Sequence, residues 1–372
     1  MEEEEGDEFL KVLRALRDAA RTVESGCGSA SDRGPALHAL LALDAGKDHL
    51  LAGDPELRAL CRVLARVRAL SWSLELSAGE PEGGGGLVGE LRARCRRCKT
   101  RRGIARAAGE VAREIQAWMD RQLAVRLVAA LRREGDEDAR ASALLAELEA
   151  RLMGLATEGR FDARLQDAVL RHGVFAAVEA RLGVGDPSPV SDGCAALVLA
   201  LVRFNRDVFV GPVLMGPAVG ALVSSSASSP APLRALNGLV DAIRTPLVDE
   251  LHGRGELPRL VALLFGDTRV RALALELVLR VAYYGRREVL DALLAEGLVK
   301  RLLCLQRSSG LGGGEFVSAV ARFAVQVEVG QGLGPREKRL AKLDILRRGR
   351  EAAVSPAEEA TVVAEVLWGA TP

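Results

Sequence analysis

The stretch RGELPRLVALLFGD, from Arg254 to Asp267, carries the pattern that decides the fold of this 372-residue chain. Its glycine, Gly255, is followed by apolar residues at Leu257 and Leu260. A separation of three residues places both side chains on one face of a helix. A glycine ahead of that helix permits a sharp turn, because a residue without Cβ adopts a positive φ at no steric cost. The stretch therefore predicts a tight corner that leads into a short amphipathic helix.

The same pattern recurs at nearly constant intervals along the chain. The glycines Gly173, Gly216, Gly255 and Gly297 are separated by 43, 39 and 42 residues. Each follows a short apolar segment and precedes a longer one, which ends in a polar or small break. A third, strongly apolar segment comes next, such as TRVRALALELVLRVAYY from Thr268. Each unit thus predicts a short helix, a glycine corner, a medium helix and a long helix that packs between neighbours.

A three-helix unit of about 40 residues resembles the armadillo repeat. The resemblance extends from about Phe161 to Ser309, and the C-terminal tail looks like that of uncharacterised armadillo-type proteins from plants. It implies an all-α, right-handed superhelical solenoid of armadillo-like three-helix repeats, whose long helices line a concave groove. The segment from Val125 resembles the one from Pro258 but has Gln122 at the glycine position. We therefore expect a degenerate repeat ahead of the four clear ones.

The remaining segments flank this array. The sequence SAGEPEGGGG is typical of a flexible linker. The sequence SPAE, from Ser355 to Glu358, is a capping box that opens a last helix, and a solenoid needs such a cap over its final open core. We divide the chain into an N-terminal helical bundle (1–76), a Gly-rich linker (77–89), a basic helix with the degenerate repeat (90–160), the armadillo-like repeats (161–310) and C-terminal capping helices (311–372).

Composition and patterning narrow the class of function. The six cysteines are sparse, as in an intracellular protein with reduced thiols, and the acidic N-terminus MEEEEGDEFL has no signal-peptide regions. We therefore expect a cytoplasmic or nuclear location. Residues 208–233 carry no charge, but Gly-Pro pairs and a Ser-rich run interrupt them, so we expect no membrane span. The near balance of 51 Lys and Arg against 50 Asp and Glu argues against a surface built throughout for nucleic acid.

No catalytic pattern is found in the sequence. Cys95 and Cys98 form one Cys-x-x-Cys pair, but no second pair with zinc-site spacing accompanies it. The Gly-rich runs lack the Gly-Lys-Ser/Thr of a phosphate loop, and no nucleophile elbow occurs. We expect a protein that is not an enzyme and has neither a metal nor a cofactor.

The leading hypothesis is a scaffold that holds a peptide or helix of a partner protein in the groove. Importins, which resemble this fold, carry a Trp and Asn ladder on the long helices, and here Asn occurs only at Asn205 and Asn237. Classical import-signal binding is therefore not expected. An adaptor in ubiquitin transfer stays an alternative, without a U-box of its own. The predicted groove residues are Arg203, Asn205, Asn237, Asp241, Arg244, Arg280 and Tyr284.

A second candidate site is a basic stretch, residues 92–106, in which no acid separates Glu90 from Glu110. It is a solvated helix face, a site for an anionic partner such as a phosphate or an acidic protein, or a nuclear-import signal. Like charges this close repel one another on a helix. The acidic N-terminus of the chain is one source of compensation. The cations are Arg92, Arg94, Arg96, Arg97, Lys99, Arg101, Arg102 and Arg106. The pattern identifies neither the partner protein nor an oligomeric state.

Overall fold

A computed structural model describes residues 2–25, 35–41, 58–78, 87–133, 138–184, 188–308 and 316–368. These residues form helices joined by turns, and they contain no strand. Most of the Gly-rich linker, residues 79–86, lies outside them. The chain divides into two compact units, Met1–Leu123 with Arg164–Ala168, and Ala124–Ala163 with Val169–Pro372. The predicted all-α fold is confirmed.

The helices are numbered in chain order. The N-terminal ones are α1 (Glu2–Ser25), α2 (35–41), α3 (Arg58–Ala78), α4 (Leu87–Arg132) and α5 (Asp138–Thr157). They are followed by α6 (Ala163–Arg171), α7 (Val174–Gly183), α8 (Pro189–Phe204), α9 (Arg206–Met215), α10 (Ala218–Ser225) and α11 (Pro230–Ile243). The last are α12 (Thr245–Gly253), α13 (Leu257–Ala262) with a 3-10 turn (Leu263–Phe265), α14 (Thr268–Tyr284), α15 (Arg287–Ala295), α16 (Leu298–Ser308), α17 (Ala319–Val329), α18 (Pro335–Ala352) and α19 (Pro356–Trp368).

The first compact unit is a helical bundle around one apolar core. Helices α1, α2 and α3 contribute buried leucines, among them Leu13, Leu40 and Leu64. Helix α4 completes the core with buried residues that include Ile104 and Ile115. These residues join the bundle because apolar side chains recur every three or four residues there, which gives α4 a continuous apolar face.

The second unit is a stack of three-helix repeats, and its first triplet is incomplete because Arg164–Ala168 of α6 belong to the first unit. The triplets α6–α8, α9–α11, α12–α14 and α15–α17 follow the order that the glycine spacing predicts. Helix α17 completes the fourth triplet, although the predicted division placed it among the capping helices (311–372). The third helices pack side by side in succession, α5 against α8, α8 against α11, α11 against α14, and α14 against α17. Each is buried on most sides; in α14, Ala274, Leu277 and Val281 are all under 2% exposed. The predicted repeat therefore exists as a packed array.

Three of the four glycine corners have the predicted backbone. Gly173, Gly255 and Gly297 adopt φ values of 66°, 71° and 71°. The prediction is wrong at Gly216, where φ is −87° and ψ is 179°. Pro217 follows directly, and a residue before proline is forced towards the extended region. Glycine is needed there for space instead, since a Cβ would lie 2.8 Å from the carbonyl oxygen of Pro212.

The flanks of the array depart from its period. Helix α4 continues through Gln122 without a corner, as expected of a degenerate repeat that lacks the glycine. At the other end, α18 and α19 pack against each other and against α17. One half of the predicted capping box is present at α19, where the Glu358 N–H donates to Ser355 Oγ at 3.2 Å. The Glu358 carboxylate accepts from the Val354 N–H at 2.7 Å and forms a salt bridge with Arg307.

The uncharged segment near residue 208 folds as two short helices. Helices α9 and α10 meet at a bend of 72°, and they bury Phe209, Val213 and Leu222 within the repeats. In the described part of the chain, no single helix has the length and apolarity to cross a bilayer. Helices α9 and α10 reach the required length and apolar composition only when they are counted together.

Candidate binding surface of the third helices

The exposed edges of the third helices form the candidate site, here called the third-helix surface. It comprises the solvent-facing side chains of α8, α11 and α14, which lie on adjacent, packed helices. Residues seven apart on a helix share a face, so Arg234 and Asp241 project from the same side of α11. The charged members of this surface are Arg203, Arg234, Asp241, Arg269, Glu276 and Arg280.

Three predicted groove residues form one hydrogen-bonded cluster. Arg280 Nε donates to both carboxylate oxygens of Asp241 at 3.0 Å, and Arg280 Nη1 donates to Asn237 Oδ1 at 2.8 Å. The same guanidinium also forms a salt bridge with Glu276 at 3.3 Å. The arginine is thus surrounded by two carboxylates and an amide oxygen. This cluster links α11 to α14, and it contains one positive and two negative charges.

Asn237 differs most from its predicted role. Its side chain is 5% exposed, and its Nδ2 donates to the carbonyl oxygens of Leu233 at 3.1 Å and Leu273 at 3.0 Å. With Oδ1 accepting from Arg280, the amide makes three bonds inside the stack. Asn237 therefore joins two neighbouring third helices and offers no free amide to a peptide backbone.

Two more of the predicted residues have local structural roles. Asn205 lies between α8 and α9, and its Oδ1 accepts from the Asp207 N–H at 3.1 Å as an N-cap. Tyr284 is half-buried at the end of α14, with its ring against that of Tyr283 at a centroid distance of 4.8 Å. Its carbonyl oxygen accepts from Thr245 Oγ1 at 3.2 Å, which ties α14 to α12.

Arg203 and Arg244 remain available to a ligand. Both side chains are exposed, and neither makes a hydrogen bond or ion pair with the residues that the structure describes. Arg203 extends across the α8–α11 contact, where a Cβ on Gly238 would lie 3.3 Å from its Nη2. Arg244 forms the corner between α11 and α12 with a φ of 68°.

The sequence analysis missed Arg234, which is equally exposed and likewise unpaired within the described ranges. It lies near the start of α11, whereas the predictions were drawn from the ends of the long helices. The available signal was its seven-residue spacing from Asp241, which puts both on one face. The Arg280 cluster has one cation and two carboxylates, so the unpaired positive charge of the third-helix surface lies outside it, at exposed residues that include Arg203 and Arg234.

The glycine corners are joined to one another across the repeats. The Glu179 carboxylate accepts from the Ala218 N–H at 3.3 Å, and Arg254 Nη2 donates to the Leu214 carbonyl oxygen at 2.7 Å. Burial raises the pKa of Glu179 above its ordinary value, although the Ala218 hydrogen bond and the Arg254 charge oppose that change. These bonds connect residues about one repeat apart, so they hold the stack together away from the third-helix surface.

The basic stretch lies in the first compact unit, in the N-terminal half of α4. All eight of its cationic side chains, from Arg92 to Arg106, are exposed. None makes an ion pair or hydrogen bond with any described residue. Glu110, which bounds the stretch, already forms a salt bridge with Arg66 at 3.2 Å.

The contacts of helix α1 show which part of α4 it packs against. Helix α1 runs antiparallel to α4, because Glu24 pairs with Arg113 while the Phe9 ring contacts the Trp118 ring at 5.6 Å. Trp118 is 12 residues from the nearest member of the basic stretch and 26 from the farthest, or roughly 18 to 39 Å along the helix. Compensation by the N-terminal acids stays a prediction, because the side chains of residues 1–8 lie outside those that the structure describes.

The cysteine pair has no further ligands around it. Cys95 and Cys98 are both exposed and unbonded. Within the described ranges, no group of three or more His, Cys, Asp or Glu side chains is arranged to hold a metal ion.

Comparison with known proteins gives structural neighbours only. No protein-family model matches the chain, and no curated protein matches it. A designed armadillo repeat protein in complex with the peptide (KR)4 is 15% identical over 66% of this chain and 98% of that chain, with a TM-score of 0.44. A second designed armadillo repeat protein is 13% identical over 65% of this chain and 97% of that chain, with a TM-score of 0.38. An engineered protein is 15% identical over 97% of this chain and 98% of that chain, with a TM-score of 0.42.

The chain's own geometry defines its class. Four consecutive helix triplets follow one another, three of their corners have a left-handed glycine, and their third helices pack in succession. The second unit has an armadillo-like repeat fold, an all-α stack of three-helix repeats.

Proposed function

We propose that this protein is a non-enzymatic binding scaffold whose third-helix surface holds an extended peptide or a helix of a partner protein. The observation that carries the proposal is the pair of exposed guanidinium groups at Arg203 and Arg234. They lie on adjacent third helices, and no contact with the described residues accounts for them. Exposed charges near a protein surface favour partners of opposite charge. We therefore expect the bound segment to carry at least one carboxylate.

Charge reversal tests this proposal. The double variant Arg203→Glu/Arg234→Glu changes the sign of the surface and leaves the Arg280 cluster intact. The matched control, Lys300→Glu/Arg336→Glu, makes the same change in charge at exposed residues of α16 and α18. Each purified chain is used to capture proteins from cytoplasmic and nuclear extracts, and the bound proteins are quantified by mass spectrometry.

We expect the captured amount of each partner of the wild-type chain to fall at least tenfold with the double variant and to stay unchanged with the control. Cross-linking with mass spectrometry should then place the partner against α8 and α11. Partners that bind the wild type and both variants equally would show that the third-helix surface is not the binding site. The ubiquitin-adaptor alternative predicts that a ubiquitin ligase is among the captured proteins.

A further inference from the structure

The basic stretch of α4 is the largest uncompensated charge in the described structure, and the proposed peptide scaffold does not use it. Without its eight cations, the chain has 43 Lys and Arg against 50 Asp and Glu. The near neutrality of the whole chain therefore conceals a separation, with one strongly basic helix segment and an otherwise acidic protein. The overall charge balance argues against a surface that binds nucleic acid throughout. That argument does not apply to this one basic segment.

The cations surround the helix rather than forming one face. At about 100° per residue, no arc wider than about 100° lacks a cation. Arg94, Arg97 and Arg101 point to one side, and Arg92, Arg96 and Lys99 to the opposite side. Every side chain that the structure describes from Leu91 to Lys99 is exposed, so packing covers none of these charges.

This distribution fits a partner with negative charge on two sides of the helix. The major groove of B-form DNA is about 12 Å wide, it admits an α-helix, and phosphates line both of its walls. The basic stretch spans roughly 21 Å, and its first part, residues 92–99, where every described side chain is exposed, spans roughly 11 Å, about two helical turns. Double-stranded RNA fits less well, because side chains do not reach into its deep, narrow major groove.

A membrane surface fits the basic stretch poorly. Helices that lie on a bilayer combine a cationic face with an apolar one. The sequence between Arg92 and Arg106 contains one large apolar residue, Ile104, and its side chain is buried in the bundle core. A flat bilayer would also contact only one side of the helix and leave the cations on the other side unused.

We propose that the basic stretch binds the phosphate backbone of double-stranded DNA. Residues 91–109 contain no Asn, Gln, Asp or Glu, the side chains that read adenine and cytosine in the major groove. Binding therefore depends on charge and not on these base contacts. This site is separate from the third-helix surface, so each proposal can fail without the other.

Fluorescence anisotropy with a labelled 20-base-pair duplex tests the proposal on the full chain. Contacts with five or more phosphates predict that log Kd rises with log salt concentration at a slope of about 4.5 or steeper. Two triple variants each remove three charges, and the two act on opposite sides of the helix. They are Arg94→Gln/Arg97→Gln/Arg101→Gln and Arg92→Gln/Arg96→Gln/Lys99→Gln. We expect each triple variant to weaken binding at least tenfold and to reduce the slope by about 2 to 3.

The matched control is Arg336→Gln/Lys338→Gln/Arg339→Gln, which removes three cations from α18 and should leave Kd within twofold. Circular dichroism checks that all variants remain helical. An effect from only one of the two α4 triples would contradict binding within a groove. The proposal is also overturned if phosphatidylserine vesicles or polyglutamate bind the chain and duplex DNA does not, since the partner would then be a membrane or an acidic protein.

Discussion

At the scale of single residues, the glycine corners explain why so little sequence is shared between the repeats. A positive φ is needed at three of the four corners, and it constrains one residue in each unit. The helices on either side need only apolar residues at the right spacing, so their identities vary freely. Gly216 shows the limit of this reading, because Pro217 changes the backbone that the glycine adopts.

Gly255→Ala tests the corner directly. Its φ of 71° is unfavourable for a residue with Cβ, so we expect the free energy of unfolding to fall by about 1–2 kcal/mol. The control is Gly253→Ala, two residues earlier in α12, where a Cβ would meet no atom within 4 Å. Alanine should be neutral there or stabilise the protein by up to about 1 kcal/mol. Urea unfolding measures both variants, and equal effects would contradict a backbone role for Gly255.

Glu358 provides a pH-dependent test of the C-terminal cap. Its hydrogen bond from Arg307, and then that from the Val354 N–H, lower its pKa below the ordinary value of 4.5. A lowered folded-state pKa contributes stability above the unfolded-state pKa, and this contribution is lost as the pH falls through the folded-state value. Glu358→Gln should therefore destabilise α19 by about 1 kcal/mol at pH 7, and by progressively less below about pH 4.5.

Amide hydrogen exchange in α19 measures this effect locally. Glu359→Gln is the control, because Glu359 is exposed and its contact with Arg350 is long, at 3.6 Å. We expect the control to change the local stability by less than about 0.5 kcal/mol. A loss of protection in Glu358→Gln that is the same at every pH would refute the proposed role of its charge.

At the scale of secondary-structure elements, Asn237 shows what holds one third helix to the next. Asn237→Ala leaves the Leu273 carbonyl oxygen and the Arg280 guanidinium each without one partner. We expect a loss of about 1–3 kcal/mol in urea unfolding. Arg234→Ala on the same helix is exposed and unpaired among the described residues, so it should change stability by less than about 0.5 kcal/mol. Equal effects would mean that the amide contributes nothing to the α11–α14 contact.

The elements were predictable because their signals are local. Apolar spacing and the position of each glycine defined the repeats, and SPAE defined the start of α19. The partners of polar side chains were not predictable, because they lie one repeat away in sequence. Asn237 and Arg280 were both predicted to face a ligand, yet they bond to each other across 43 residues. Arg234 was missed for the same reason, since only the packed array shows which side of α11 stays uncovered.

At the scale of the whole molecule, the account depends on stacking. Each unit exposes apolar surface that only its neighbour can cover, so the repeats are stable as an array and not alone. Bonds between equivalent parts of adjacent units support this arrangement. Asn237 donates to the backbone of Leu273, and Arg254 donates to that of Leu214. Within one unit, Thr245 donates to the backbone of Tyr284.

The most direct test is an electron–electron distance across two repeats. Spin labels at Arg203→Cys and Glu276→Cys, in a chain whose six native cysteines have been replaced, report on α8 and α14. Adjacent packed helices lie about 8–10 Å apart, so two steps predict a narrow distribution centred at about 15–30 Å. A distribution centred beyond about 40 Å, or one without a defined maximum, would contradict the side-by-side packing of the third helices.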